Sequence, residues 1–289
     1  MLRFRNLGSG SAGNATVVEG GAGTQVRRLL VDCGLGVRQL QARLGQAGLA
    51  PAQIDAVFIT HEHSDHIGCA RTLALRQRIP VWMSHGTYSA LGSPDFDGLL
   101  RLAHDGQAID LGTFEALPFT VPHDAREPLQ LRCSDGAAHL ALLTDLGHAS
   151  AHVLAHLAGA HALLLESNHD PQLLAASRYP PFLKRRVGGD YGHLSNAAAA
   201  GILRAVQHPG LQCVVAAHLS AQNNHPDLVR PLLADALGWE AQRIAVADPV
   251  QGTAWHAVAG SDSDSGGGNV NGNDNGNGGS SDGNHSASA

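Results

Sequence analysis

Cysteine is scarce in this 289-residue chain: Cys33, Cys69, Cys133 and Cys213 stand far apart. No C-x-x-C pair occurs, which argues against a disulfide framework or a structural zinc knuckle. The four read as small buried apolar residues of a reducing compartment. Charged residues make up 15% and aromatics 4%, which excludes a charge-rich coiled coil. Positive charge is scarcer still: Lys184 is the single lysine, and the formal net charge is −6. Attraction to nucleic acid by bulk charge is thereby excluded. No apolar run is long enough to span a bilayer. The opening M-L-R-F-R-N-L-G lacks the apolar stretch of a secretory signal, so the expected location is the cytoplasm, with no membrane partner.

What the chain does have is 43% hydrophobic residues, enough for a sizeable core, and 18 histidines against 19 Lys and Arg. Near Gly260 the composition turns to Ser, Gly, Asn and Asp. Such a segment cannot offset its ordering entropy by burial. The expected organisation is one globular domain over 1–259 and a disordered tail over 260–289.

Apolar runs predict strands over 2–7, 16–19, 28–32, 56–60, 81–83, 108–110, 114–121, 129–133, 139–144, 162–166, 211–217 and 243–247. Helical spacing marks 37–47, 66–77, 149–157, 195–206 and 227–237, the fourth capped by Ser195 or Asn196. Strands in runs with helices between some of them suit an α/β fold of four layers, an αββα sandwich. A doubly wound parallel sheet competes, but the β-rich middle argues against it.

The chemistry concentrates in His61-Glu62-His63-Ser64-Asp65-His66, directly after the strand A-V-F-I-T. In extended chain His61 and His63 point the same way, while Asp65 and His66 enter the next helix. Neutral imidazoles and a carboxylate this close form an ordinary ligand set for a divalent ion. Later apolar runs end in His123 (V-P-H-D-A), Asp145 (L-L-T-D-L-G) and His218 (V-V-A-A-H-L-S), each at a strand end where loops present ligands.

This order, H-x-H-x-D-H followed by single His, Asp and His residues, resembles the metallo-β-lactamase-fold hydrolases. The resemblance implies a dinuclear centre: His61, His63 and His123 on one ion, Asp65, His66 and His218 on the other, Asp145 bridging. Asp32, in V-D-C-G, matches a motif that supports such a site from behind the ligands. Finer motifs are similar to the YycJ/WalJ group, regarded as exonucleases that degrade DNA from the 5′ end. They are L-G-S-G-S-A-G-N from Leu7, H-D-A from His123, E-S-N-H-D from Glu166, G-H-L-S-N from Gly192 and H-L-S-A-Q-N-N from His218. The chain departs from that group at Pro128-Leu129-Gln130.

The function expected from this resemblance is a metal-dependent phosphodiesterase or nuclease, a 5′-to-3′ DNA exonuclease. It would use two Zn²⁺ or Mn²⁺ ions and a bridging hydroxide. Its expected catalytic residues are Asp65, Asp145 and His193. His193 resembles a phosphate-contacting histidine of ribonuclease Z and would bind a phosphate oxygen or protonate the leaving oxygen. His169 and Asp170 would orient ligands. Lys184-Arg185-Arg186, the one dense basic run, would meet phosphates, with Tyr179, Phe182 and Tyr191 stacking on bases; a solvated loop is the alternative. The Gly/Ser turn with Gly8, Ser9, Gly10, Ser11 and Asn14 would offer backbone amides to a phosphate. The substrate is nucleic acid, DNA before RNA. Two other readings stay open: a hydrolase of cyclic phosphodiesters, lactones or thioesters, and a non-catalytic metal-binding scaffold.

Overall fold

A computed structural model describes residues 1–260, so the expected tail lies, beyond Gly260, outside the described residues. In chain order the strands are β1 (Leu2–Gly8), β2 (Ala15–Ala22), β3 (Gln25–Val31), β4 (Ala56–Phe58), β5 (Val81–Met83), β6 (Leu100–Leu102), β7 (Ile109–Asp110), β8 (Glu115–Thr120), β9 (Leu129–Ser134), β10 (His139–Leu143), β11 (Ala162–Glu166), β12 (Cys213–Ala217), β13 (Ala245–Val246) and β14 (His256–Val258). They form two seven-stranded sheets, ordered β14-β1-β2-β3-β4-β5-β6 and β13-β12-β11-β10-β9-β8-β7. In the first sheet β14 to β3 are antiparallel neighbours and β3 to β6 parallel ones. The second repeats the plan, antiparallel from β7 to β10 and parallel from β10 to β13.

The parallel halves need crossovers, and the helices supply them. These are α1 (Val37–Gln46), α2 (Ser64–Ile67), α3 (Ala70–Gln77), α4 (His85–Ala90), α5 (Ala151–Leu157), α6 (Pro171–Ala176), α7 (Pro181–Val187), α8 (Asn196–Val206) and α9 (Pro226–Leu237). Strand periodicity sorts the side chains into three apolar layers. Leu140 and Leu142 of β10 face the other sheet, beside Phe4, Phe58 and Leu164. Ala141 and Leu143 face outward onto Val153, Leu203 and Leu233 of α5, α8 and α9. On the far side Leu30 and Val57 meet Leu40, Leu44 and Leu73 of α1 and α3. This is the expected αββα sandwich. Every residue of β11, A-L-L-L-E, is buried, as befits a parallel strand covered on both faces. Each fully buried leucine contributes about 1.5–3 kcal/mol relative to exposure.

The topology places the chemistry. Ligands in open parallel sheets gather outside the carboxyl ends of strands. Asp32 follows β3, His61 follows β4, Asp145 follows β10, Glu166 ends β11 and His218 follows β12. Strand β8 runs in the direction of β10, which brings His123 to the same edge.

Several local expectations need correction. The helix expected over 66–77 is two, α2 and α3, broken at Gly68. Gly68 has φ +30°, and a Cβ there would lie 2.3 Å from the Cys33 carbonyl oxygen. Strands β6 and β14, and helices α4, α6 and α7, were not anticipated. The run Lys184-Arg185-Arg186, for which a solvated loop was the alternative to phosphate contact, is the last turn of α7, where cations complement the helix dipole. Ser195, as expected, caps α8, its hydroxyl accepting from Ala198 N–H.

Candidate metal centre

The site begins with backbone that few residues adopt. Asp32, Asp145 and His218 have φ of 60°, 55° and 54°, in the left-handed region. Holding a non-glycine residue there costs of order 1–3 kcal/mol and persists only where the surroundings dictate it. The three follow the carboxyl ends of β3, β10 and β12, Asp145 two residues beyond its strand. Gly34 completes the frame, since a Cβ on it would meet the Asp65 carbonyl oxygen at 1.7 Å. That close approach lets Asn14 N–H donate to the Asp65 carbonyl at 2.8 Å.

The imidazoles are oriented from behind. His61 Nδ1 lies 3.0 Å from Thr60 Oγ1, and His66 Nδ1 lies 2.8 Å from Asp32 Oδ2. His123 Nδ1 faces the Gly192 carbonyl at 3.1 Å, and His218 Nδ1 faces Glu166 Oε1 at 3.2 Å. Each contact engages Nδ1 and turns Nε2 toward a common centre. Asp32 itself accepts from Thr60 N–H and Oγ1–H, so its carboxylate is fixed.

Four overlapping sets of candidate ligand atoms result among the described residues, and two of them coincide with the groups expected from the sequence. His61, His63 and His123 converge, with His61 Nε2 to His63 Nδ1 at 3.0 Å and His63 Nδ1 to His123 Nε2 at 3.4 Å. A tetrahedral ion with bonds of about 2.0–2.1 Å to nitrogen needs donors spaced by about 3.3 Å. Asp65, His66 and His218 form the second group, with Asp65 Oδ2 at 3.6 Å from His66 Nε2 and 3.5 Å from His218 Nε2. Asp145 stands between the groups, with Oδ2 3.1 Å from His66 Nε2 and Oδ1 3.6 Å from His218 Nε2. Asp145 Oδ2 is buried and makes no hydrogen bond. An orphaned acceptor amid imidazoles is the position that a cation fills.

The electrostatics agree with that need. Burial alone would raise the Asp145 carboxyl, but His218 and His66 hold it well below the usual range. Burial would lower His218, yet Asp145, Asp65 and Glu166 push it up to about 10. Glu166 is held at about 2 against burial, by His193 and His218. Burial and the neighbouring His66 push His61 well below its ordinary value, which keeps its imidazole neutral. Every ion-pair partner of Asp65, Asp145 and Glu166 among the described residues is a histidine. Protons or metal cations must therefore balance three carboxylates. Nitrogen and carboxylate donors of this kind suit Zn²⁺ or Mn²⁺.

Residues 27–219 match the family model described as a beta-lactamase superfamily domain. The chain belongs to that superfamily. It is 35% identical over 240 residues to the protein named exodeoxyribonuclease YycJ of Bacillus anthracis, covering 82% of this chain and 89% of the relative. It is 30% identical over 241 residues to the one named exodeoxyribonuclease WalJ of Streptococcus pneumoniae, covering 82% and 88%. Among solved structures, the metallo-β-lactamase-fold protein YhfI of Bacillus subtilis superposes with a TM-score of 0.68 at 17% identity, covering 89% of this chain and all of that one.

In this superfamily member the cluster floors a cavity of about 360 Å³, lined by His63, Asp65, Asp145, His193 and His218 below and by Ser11, Tyr179 and Arg186 at the rim. His193 Nδ1 lies 2.7 Å from Glu166 Oε1, so Nε2 is the nitrogen left for a bound molecule. Phe182 and Tyr191, expected to stack on bases, are 65% and 62% exposed but do not line this cavity; Tyr179 does. The basic run divides. Arg186 pairs with Asp124, Lys184 Nζ donates to the Ala175 carbonyl, and Arg185 is exposed.

The Gly/Ser turn behaves differently from expectation. The amides of Gly8 and Gly10 are spent on Asn6 and Asn14, and that of Asn14 on Asp65. Ser9 is buried and accepts from His218 N–H at 2.7 Å, while Asn14 Nδ2 reaches Asp65 and His66. This turn braces ligands, and only Ser11 of it lines the cavity. Asp170, expected to orient ligands, caps α6 instead. Asn168 does the orienting, donating to the His218 carbonyl at 2.8 Å. Glu166 was overlooked as a site residue. Its signal was an acid ending a wholly apolar strand, a position that is costly to bury without a partner.

Proposed function

We propose that this chain is a metal-dependent nuclease, a 5′-to-3′ exonuclease preferring DNA, working in the cytoplasm on a dinuclear centre. The observation that carries the reading is the meeting of His61, His63, His123, Asp65, His66, His218 and Asp145 around an acceptor without a hydrogen bond, under one open cavity. The named exodeoxyribonuclease relatives, which align over most of their own length, support the choice of DNA. His61, His63 and His123 would hold one ion, Asp65, His66 and His218 the other, and Asp145 both. Two such ions supply an activated water and neutralise charge on a phosphoryl group.

The chain's own residues do the rest. Asp145, fixed by backbone strain and burial, orients the attacking side of the cavity. Glu166 anchors His193 and turns its Nε2 to the opening. Burial depresses the His193 imidazole, but Glu166 and Asp145 overcome this and raise it. This favours the protonated imidazole and suits His193 to deliver a proton to the leaving oxygen. Arg186 and Tyr179, which line the cavity, would guide the strand's phosphates and bases.

The test is end-labelled single- and double-stranded DNA and RNA, incubated with the purified chain and Mn²⁺, Zn²⁺ or chelator. Stepwise shortening of DNA from its 5′ end, lost on chelation and in Asp65→Ala, is the expected result. No cleavage of any polymer with both ions bound would overturn it and turn attention to small phosphodiesters and thioesters.

A further inference from the structure

Cys33 and Cys69 take no part in the chemistry above, yet they sit directly beneath it. Their Sγ atoms are 3.4 Å apart. The main chains are tied as well: Cys69 N–H donates to the Cys33 carbonyl at 3.0 Å, and Cys33 N–H donates to the His66 carbonyl at 2.7 Å. Backbones held this way already lie within the reach of a disulfide. Cys33 is completely buried, but Cys69 is 8% exposed and lines a cavity of about 260 Å³ between α1 and α3. Gln41, Arg76 and Gln77 also line that cavity, which is separate from the one above the metal centre. A small polar oxidant thus has a route to one sulfur and not to the other. Cys133 and Cys213 have no cysteine neighbour among the described residues.

We infer that Cys33 and Cys69 form a reversible thiol–disulfide pair that couples oxidation to the hold on His66. The oxidant class is a hydroperoxide. Cys69 sulfur attacks it, the O–O bond breaks, the sulfur becomes sulfenic acid, and water or an alcohol leaves. Cys33 sulfur then attacks Cys69 sulfur; the S–S bond forms and the sulfenic oxygen departs as water. An external dithiol reverses the step by exchange. The hydrogen bond from Cys33 and the nearby Arg76 guanidinium hold the Cys69 thiol below its ordinary value, which suits it to attack first.

The consequence follows from packing. A disulfide is about 2.0 Å long, so the sulfurs must close by more than about 1 Å. Gly68 packs close to this segment, since a Cβ on it would lie 2.3 Å from the Cys33 carbonyl oxygen and 2.7 Å from the Gly34 carbonyl carbon. Movement passes to the Cys33–His66 hydrogen bond and to Asp32, whose carboxylate fixes His66 Nδ1. Loss of such outer support weakens metal affinity by roughly 10–100-fold.

The experiment uses the full chain loaded with zinc and graded hydrogen peroxide. Mass spectrometry of a non-reducing digest reads the cross-link, and a chromogenic chelator reads zinc release. The expected result is a Cys33–Cys69 peptide lacking two hydrogens, with zinc released at least roughly 10-fold more readily and retained again after dithiothreitol. Cys69→Ser should form no cross-link and keep its zinc. Cys33→Ser should stop at a sulfenic acid on Cys69, trapped by dimedone. Two results would overturn the inference: no cross-link in the folded wild-type chain, or a cross-link that leaves zinc retention unchanged.

Discussion

Two buried clusters of charge in this chain are built on opposite plans. On β2, Glu19 is only 7% exposed and accepts from Arg3 Nε at 2.6 Å and Arg28 Nε at 2.7 Å. Its cations are resident, so the cluster is complete. At the sheet edge, the ion-pair partners of Asp65, Asp145 and Glu166 among the described residues are all imidazoles. Their balance must come from protons or from metal, so that cluster depends on what it binds. Burying a carboxylate is costly in both places. The difference is whether the chain supplies the counter-charge permanently or leaves it exchangeable. The exchangeable arrangement marks the functional one, and strained backbone at Asp32, Asp145 and His218 marks the same place.

The contrast breaks most completely at Asp145. Asp145→Ala should cut bound metal, read by elemental analysis, and drop nuclease activity to background. Wild type should also lose thermal stability on chelation. Metal present at 1,000 times its dissociation constant adds about 4 kcal/mol to the folded state. The variant should show little of that loss. Two tightly held ions in Asp145→Ala would refute the central role given to this residue.

Glu166→Gln should have the next largest effect, roughly 10–100-fold on metal affinity or turnover. Its pH signature separates it from simple loosening. Burial lowers His193, but the Glu166 and Asp145 charges raise it overall. Activity that needs protonated His193 is full below that raised value and falls as pH climbs through it. Without the Glu166 charge, the alkaline fall should move to lower pH. His193→Ala should reduce turnover by about 10²–10⁴-fold with metal content intact. An unmoved alkaline limb in Glu166→Gln, or metal lost with His193, would remove the proton-delivery role.

These residues were unequally legible in the sequence. His61, His63, Asp65 and His66 fall within six residues, from the end of β4 into α2, so their spacing alone announces a ligand set. Asp145 and His218 are single residues after apolar strands, and only their order and the shared direction of β10 and β12 give them meaning. Glu166 escaped because a terminal acid after L-L-L carries no local sign of its partners, which come from 27 and 52 positions away. The four-layer fold was readable from the strand-rich pattern. Strand β14 was not, because three residues pair with β1 across nearly the whole chain. Helix α7 hid behind its prolines and arginines, which resemble loop composition while also suiting a helix start and a helix end.

Glu19→Gln sharpens the comparison from the other side. It should cost about 1–2 kcal/mol at neutral pH and leave metal content and activity unchanged. Burial would raise Glu19, but Arg3 and Arg28 lower it overall. Its contribution is therefore present above the carboxylate's unfolded value and lost as pH falls through the lower folded value. Chemical denaturation of wild type and variant should converge in acid. A constant gap down to pH well below that range would mean that packing, not charge, holds the cluster.

The smallest expected effect lies at the rim, where charge is exposed and screened. Arg186 is committed to Asp124 and Lys184 to the Ala175 carbonyl, while Arg185 is exposed on the same turn of α7. An exposed cation contributes little to folding, typically within about 1 kcal/mol. Its contact with a phosphate instead appears as displaced counterions. Arg185→Ala should raise KM for DNA severalfold, leave kcat and bound metal alone, and reduce the slope of log affinity against log salt by about 1. Arg186→Ala should change the slope less, because Asp124 already offsets its charge and would be released with it. If Arg185→Ala lowered kcat at saturating DNA with the salt slope unchanged, α7 would act on the geometry of the centre and not as a track for the strand.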